Sequence, residues 1–152
     1  MVKYTMKETN VKLVFENVKT RKKEVIRVHN SECTAGKNSL ASRLAGAEKG
    51  QVTYFAVGVG DTSGGNAPDV SDTALNDELI RKQISVRSSV GNVAYFRVFF
   101  NTSEANGTLT EIGLFGDDAS ATPDSGTLFA RAGIDKTKTD AETLTIDWSL
   151  ET

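Results

Sequence analysis

Cys33 and His29, the chain's single cysteine and single histidine, stand four residues apart. These are the two residue types of a thiolate–imidazole nucleophile. Such a pair needs a third group to aim the ring. His29 reads as a strand end and Cys33 as the turn before a helix, so nothing orients the imidazole toward the sulfur. A serine hydrolase would need the same His29, and no Gly-x-Ser-x-Gly elbow is present. The Gly-rich run Gly58-Val59-Gly60-Asp61-Thr62-Ser63-Gly64-Gly65-Asn66-Ala67-Pro68 suggests a phosphate cradle. A P-loop needs Lys-Ser/Thr after its last glycine, where Asn66-Ala67 stand, and a dinucleotide fingerprint needs Gly at 63, where Ser63 stands. Asp61, Asp69, Asp72, Asp77 and Glu78 form an acidic cluster, but position 12 of an EF-hand counted from Asp61 is Asp72 rather than Glu. Turn formation, subunit contact or helix capping explains these residues better than catalysis or a metal. No cofactor is expected.

Lys19, Arg21, Lys22, Lys23 and Arg27 are a basic cluster that could touch phosphates. The chain's pI of about 5.5 argues against nucleic acid, as does the lack of an aromatic-interleaved basic stretch for base stacking. The charge is uneven along the chain. Residues 1–50 hold 11 Lys/Arg and 5 Asp/Glu, whereas residues 51–152 hold 7 and 15. A basic front on an acidic remainder suggests that the front docks onto something acidic, such as a neighbouring copy's body. No apolar run approaches the ~20 residues of a membrane helix, and no signal-peptide pattern opens the chain. The expectation is a soluble protein made in a reducing compartment, and not an enzyme.

The elements that would carry these residues are mostly strands. In Asn10–Glu16, apolar Val11, Leu13 and Phe15 alternate with polar positions, and Val14 breaks the alternation. A charged tip at 19–23 and a returning strand over 24–29 complete a hairpin, which must lean on the body or on a partner. Residues 34–46 read as a helix with Thr34 as N-cap, Leu40 and Leu44 on one face and Gly46 ending it. A second short helix is predicted over 73–79, capped by Ser71 or Asp72. Strands are predicted over 52–57, 83–87, 93–100, 109–115, 127–131 and 144–150, with turns at Gly91-Asn92 and Asn106-Gly107. The 93–100 run, the most apolar of the chain, should cross the core. In the last strand Leu144, Ile146, Trp148 and Leu150 share one face.

At 152 residues the chain fits one domain that can bury roughly 68–70% of its unfolded surface without disulfides or metal. The predicted architecture is mainly β. It is an antiparallel β-sandwich or barrel-like body with one or two short helices, preceded by an N-terminal β-hairpin arm. The arm covers residues 1–33 and the body residues 34–152, with the short helix at about 35–45.

Four stretches taken in order resemble a module of tailed-bacteriophage virion proteins: Ala56–Asp61; Ser71-Asp72-Thr73-Ala74-Leu75 with Glu78, Leu79 and Arg81; Asn106-Gly107 with Leu109 and Glu111–Phe115; and Gly126–Arg131. Such modules are labelled tail-fibre, tail-collar or baseplate-associated, and small relatives decorate capsids. The resemblance spans roughly residues 25–150. It implies a structural role, self-association (often as a trimer), attachment to other capsid or tail proteins, and a virion location after synthesis in the host bacterial cytoplasm. Fibre proteins continue into a shaft and a receptor-binding tip. A chain ending at Thr152 looks more like a decoration subunit or a fibre adaptor. A carbohydrate-binding sandwich, with Tyr54 or Trp148 stacking on sugar rings, is the alternative. Expected contact residues are Lys19, Arg21, Lys22, Lys23 and Arg27 in the arm, Asp61 in the Gly-rich loop, and Glu111. The plainer reading of Glu111–Phe115 is one core strand.

Overall fold

The computed structural model describes residues 10–152, so the first nine residues of the predicted arm lie outside the described residues. Ten strands and one α-helix follow one another: β1 (Val11–Asn17), β2 (Lys23–Val28), β3 (Ser31–Glu32), α1 (Thr34–Leu44), β4 (Val52–Gly58), β5 (Glu78–Gln83), β6 (Val86–Val90), β7 (Val93–Phe100), β8 (Gly107–Gly116), β9 (Thr127–Lys138) and β10 (Glu142–Glu151). They form two antiparallel five-stranded sheets, ordered β2-β1-β10-β7-β6 (sheet A) and β3-β9-β8-β4-β5 (sheet B). Of the two architectures the sequence allowed, the protein is the sandwich.

Period-two alternation fills the space between the sheets. Val11, Leu13 and Phe15 of β1 lie directly opposite Trp148, Ile146 and Leu144 of β10, all sealed from solvent. Phe55, Val57, Leu109, Ile112 and Leu114 of sheet B meet them in one continuous cluster. The hairpin of β1 and β2 forms as the sequence predicts, but it is built into the body. β1 is hydrogen-bonded on both sides, by β2 and by β10. Residues on both sides of position 33 share one sandwich, because the apolar face of β1 joins the core between the sheets.

Several other expectations are corrected. No helix forms over 73–79: Glu78 and Leu79 open β5, and Asp72 is engaged with Arg131 instead of capping a helix. A 3₁₀ turn at Gly64–Asn66 is the only helical piece of that loop. The strand predicted over 83–87 is two strands, since the chain crosses from sheet B to sheet A between Gln83 and Val86. β7 is only half buried: Val98 and Phe100 face the core, while Tyr95 and Phe99 stand on the outer face. α1 begins where predicted, but its N-cap is Cys33 and no side chain caps it. Gly36 and Ser39 are its buried residues, and Leu44 is 91% exposed. A Cβ on Gly36 would lie 2.6 Å from the Phe129 backbone, so a small residue sets how closely the helix approaches β9. Gly46 ends the helix as expected. With φ +98 it sits in a Schellman arrangement, Ala47 N–H donating to Ser42 O and Gly46 N–H to Arg43 O.

Because β1 supplies a central stripe of the core, Leu13→Ala should lower stability by about 2–5 kcal/mol. A chain starting at residue 31 should fail to give a cooperative unfolding transition. Denaturant unfolding followed by circular dichroism measures both, and a cooperatively folding truncated chain would return the hairpin to the status of an arm.

Candidate functional site

The outer face of sheet B, away from the main core, is where most of the singled-out residues meet. Pleating points Glu111, Gly113 and Phe115 of β8 outward together, and Arg131 of β9 lies opposite Gly113. The loop joining β4 to β5, residues 59–77, folds down over this face. Leu75 contacts the space above Gly113, and a small second core of Cys33, Ala56, Leu75, Phe115 and Leu128 seals the layer.

Glu111 is 0% exposed and is the anchor of that loop. Its carboxylate accepts the backbone N–H groups of Gly60 (3.2 Å), Asn76 (2.8 Å) and Asp77 (3.0 Å). It also accepts Arg131 Nε at 3.1 Å and pairs with Arg131 Nη2 at 3.0 Å. Arg131 in turn donates Nη1 to Asp72 at 2.7 Å and Nη2 to Asn66 O at 3.2 Å. The backbone can reach the carboxylate only because two glycines line the approach. A Cβ on Gly58 would lie 2.6 Å from Glu111 Cγ, and one on Gly60 2.6 Å from Glu111 Oε2.

Two further carboxylates tie down neighbouring segments in the same manner. Glu78 pairs with Arg81 (Oε1 to Nε 2.5 Å, Oε2 to Nη2 2.8 Å) and accepts Asp124 N–H at 2.9 Å. The Arg81 guanidinium sits 4.5 Å from the Phe115 ring centroid and donates to Ser120 O and Ser125 O, which holds the 117–126 loop. Asp117 accepts Ser39 Oγ and Gly50 N–H, joining α1 to the end of β8. Burial alone would raise the Asp117 carboxyl, but the bonds from Gly50 and Ser39 hold it below the ordinary range.

These contacts define what the site can do. A carboxylate that accepts from three backbone N–H groups and from Arg131 is committed to holding the loop, so Glu111 is a fastener. Burial, reinforced by Asp72, pushes the Cys33 thiol up to about 11, which leaves it protonated and unreactive near neutrality. Cys33 is buried while His29 is exposed, so the two do not form a pair. The acidic cluster is dispersed: Asp61 holds Ser63 and Asn66, Asp69 holds Ser71, and Asp72 holds Arg131. Among the described residues no group of three His, Cys, Asp or Glu could hold a metal ion.

The predicted contact residues fall into two separate places. Asp61 and Glu111 come together through Asn76, whose N–H reaches Glu111 and whose Nδ2 donates to Asp61 O at 2.6 Å. Glu111 is thereby corrected from a contact residue to a buried one. Asp61 stays exposed and ionised, its carboxyl lowered by the Ser63 hydroxyl and N–H. Lys19, Arg21, Lys22 and Lys23 crowd the exposed β1–β2 turn, and Arg27 follows on the solvent side of β2. Arg21 and Lys23 share Glu16, while Lys19 and Lys22 have no ion-pair partner among the described residues. Trp148 is 1% exposed and tilts against Phe55, and Tyr54 is half-buried with Arg81 near its ring. Sequence reasoning placed Asp72 and Glu78 in an acidic cluster and carried Arg81 and Arg131 in the resemblance, but it paired none of them and did not single out Asp117. For Arg131 a signal was available in a charge set inside an otherwise apolar strand, Leu128-Phe129-Ala130-Arg131-Ala132.

No protein-family model, curated protein or solved structure matches the chain.

Glu111→Gln should destabilise the protein by about 3–5 kcal/mol, because it leaves the Arg131 charge buried without its partner. Glu111→Gln/Arg131→Met should recover part of that loss. Equilibrium urea unfolding of the three proteins measures both effects; a change below about 1 kcal/mol in the single variant would remove the fastener role.

Proposed function

We propose that this chain is a structural subunit of a tailed-bacteriophage virion. In this reading it is made in the host bacterial cytoplasm, self-associates and attaches to the capsid or tail, as a decoration subunit or a fibre or collar adaptor. It works by the surfaces it presents and breaks no bonds. The observation that carries the reading is spatial. Gly58, Gly60, Asp72, Leu75, Glu78, Arg81, Glu111, Gly113, Phe115 and Arg131 all come from the four stretches that carry the virion-protein resemblance. They close on one another into a single sealed layer. A fixed series of residues that makes one fastened scaffold is what a building block needs, and it leaves no open cleft at its centre.

The surfaces around that scaffold are electrically opposite. The two covering loops, 59–77 and 117–126, contain seven Asp and no Lys or Arg. The β1–β2 turn presents Lys19, Arg21, Lys22 and Lys23 on the other sheet. Opposed patches of this kind steer and register docking between subunits, with a strength that falls as salt rises. The sugar-recognition alternative has less support, since Trp148 is buried against Phe55 and Tyr54 is half-buried with Arg81 near its ring.

Mass spectrometry of density-purified particles of the phage encoding the chain should detect it at a fixed ratio to the major capsid or tail protein. Lys19→Glu/Lys22→Glu should reduce the amount retained, most of all at low salt, where the charges are least screened. Absence of the wild-type chain from purified particles would overturn the proposal.

A further inference from the structure

The four sheet edges are not alike. β2 carries Lys23, Glu24 and Arg27 along its six residues, and β5 carries Glu78, Arg81 and Lys82 along its six. β3 is only two residues long and runs straight into α1. Charge and shortness are the usual means of blocking an edge. β6, Val86-Arg87-Ser88-Ser89-Val90, has one charge, no proline and five exposed residues, and among the described residues it pairs only with β7. Val86 is 52% and Val90 70% exposed. They share the outer face of sheet A with their β7 neighbours, among which Tyr95 and Phe99 are 44% and 45% exposed. Among the described residues, one edge out of four is therefore open, carries a single charge and is flanked by apolar surface.

The register of β6 limits what can fill that edge. The two-residue turn Gly91-Asn92 makes Val90–Val93 the closing hydrogen-bonded pair of the hairpin. Alternation then directs the backbone groups of Val86, Ser88 and Val90 to β7, and those of Arg87 and Ser89 away from it. A second β6 laid antiparallel uses both free positions when Arg87 bonds Ser89 of the second copy and Ser89 bonds its Arg87. That arrangement is two-fold symmetric about Ser88. It sets Val86 against Val90 of the other copy, and a guanidinium against a hydroxyl. No like charges are opposed, and apolar meets apolar on the outer face.

We propose that β6 is a self-association edge, where a second copy of this chain adds its own β6 antiparallel and joins the two A sheets into one ten-stranded sheet. This names the partner and geometry for the self-association proposed above, and it rests on that reading in this respect alone. The contact is two-fold, so it makes dimers and not the trimers that the resemblance implies.

Sedimentation equilibrium of the full chain should give twice 16.3 kDa. Val86→Lys/Val90→Lys should return it to the mass of one chain that still unfolds cooperatively, with a midpoint that no longer depends on protein concentration. Ser88→Cys should form a disulfide-linked dimer under mild oxidation, since a central non-hydrogen-bonded pair has Cα atoms about 4.5 Å apart. Arg87→Cys should not, because its counterpart lies diagonally across the dyad. The native Cys33 is buried and stays out of the reaction. A wild-type chain that is monomeric or trimeric, a dimer that survives the lysine variant, or cross-linking at 87 but not at 88 would each overturn the contact. Particle attachment is read separately, so a chain found in virions without this dimer would refute the edge and leave the virion role standing.

Discussion

The Glu111 carboxylate is the constraint on which the outer half of the molecule depends. Burying a carboxylate costs several kcal/mol unless donors replace its water. Here the donors are Arg131 and three backbone N–H groups of the loop it holds. Ion pair and loop are therefore coupled. Without the loop the carboxylate lacks ligands, and without the carboxylate three amides of a long irregular segment lose their acceptor. Gly58 and Gly60 belong to the same constraint, because a side chain at either position would occupy the space where carboxylate and backbone meet. Glu78 and Asp117 repeat the device on the adjoining segments, each accepting a backbone N–H from a loop or turn.

Strand positions were legible because the main core obeys period two. Leu144, Ile146, Trp148 and Leu150 share a face as their spacing requires, and Gly91-Asn92 closes β6 onto β7. What stayed hidden is non-local. In one dimension, a Glu and an Arg twenty residues apart read as two solvated charges; only the β8–β9 register brings them together. The same blindness produced the helix expected over 73–79. Asp72 looks like a cap, yet its carboxylate is occupied by Arg131 and by Asp69 N–H. β9 runs to Lys138, well past the predicted end, because Lys136 and Lys138 extend along the sheet to reach polar partners. Lys136 pairs with Glu24 and Glu142, and Lys138 donates to Asn101 O and Asn106 Oδ1.

The two sheets are treated differently by the rest of the chain. Sheet B is covered on its outer face by the loops, and the ionisable groups at that face are spent on fastening. Sheet A leaves its outer face open, with Tyr95 and Phe99 in view and a bare edge at β6. A groove of about 940 Å³ between α1 and the β6–β7 turn, lined by Leu40, Phe96, Phe129 and Leu150, completes the exposed side. The arrangement is a fastened scaffold with one open side.

Residue-resolved hydrogen exchange tests the fastening most directly. If the carboxylate holds the loop, the amides of Gly60, Asn76 and Asp77 exchange nearly as slowly as the central amides of β8 and β9, although they lie in irregular backbone. Exchange of these three at the rate of the exposed β1–β2 turn, with the strands still protected, would contradict the account.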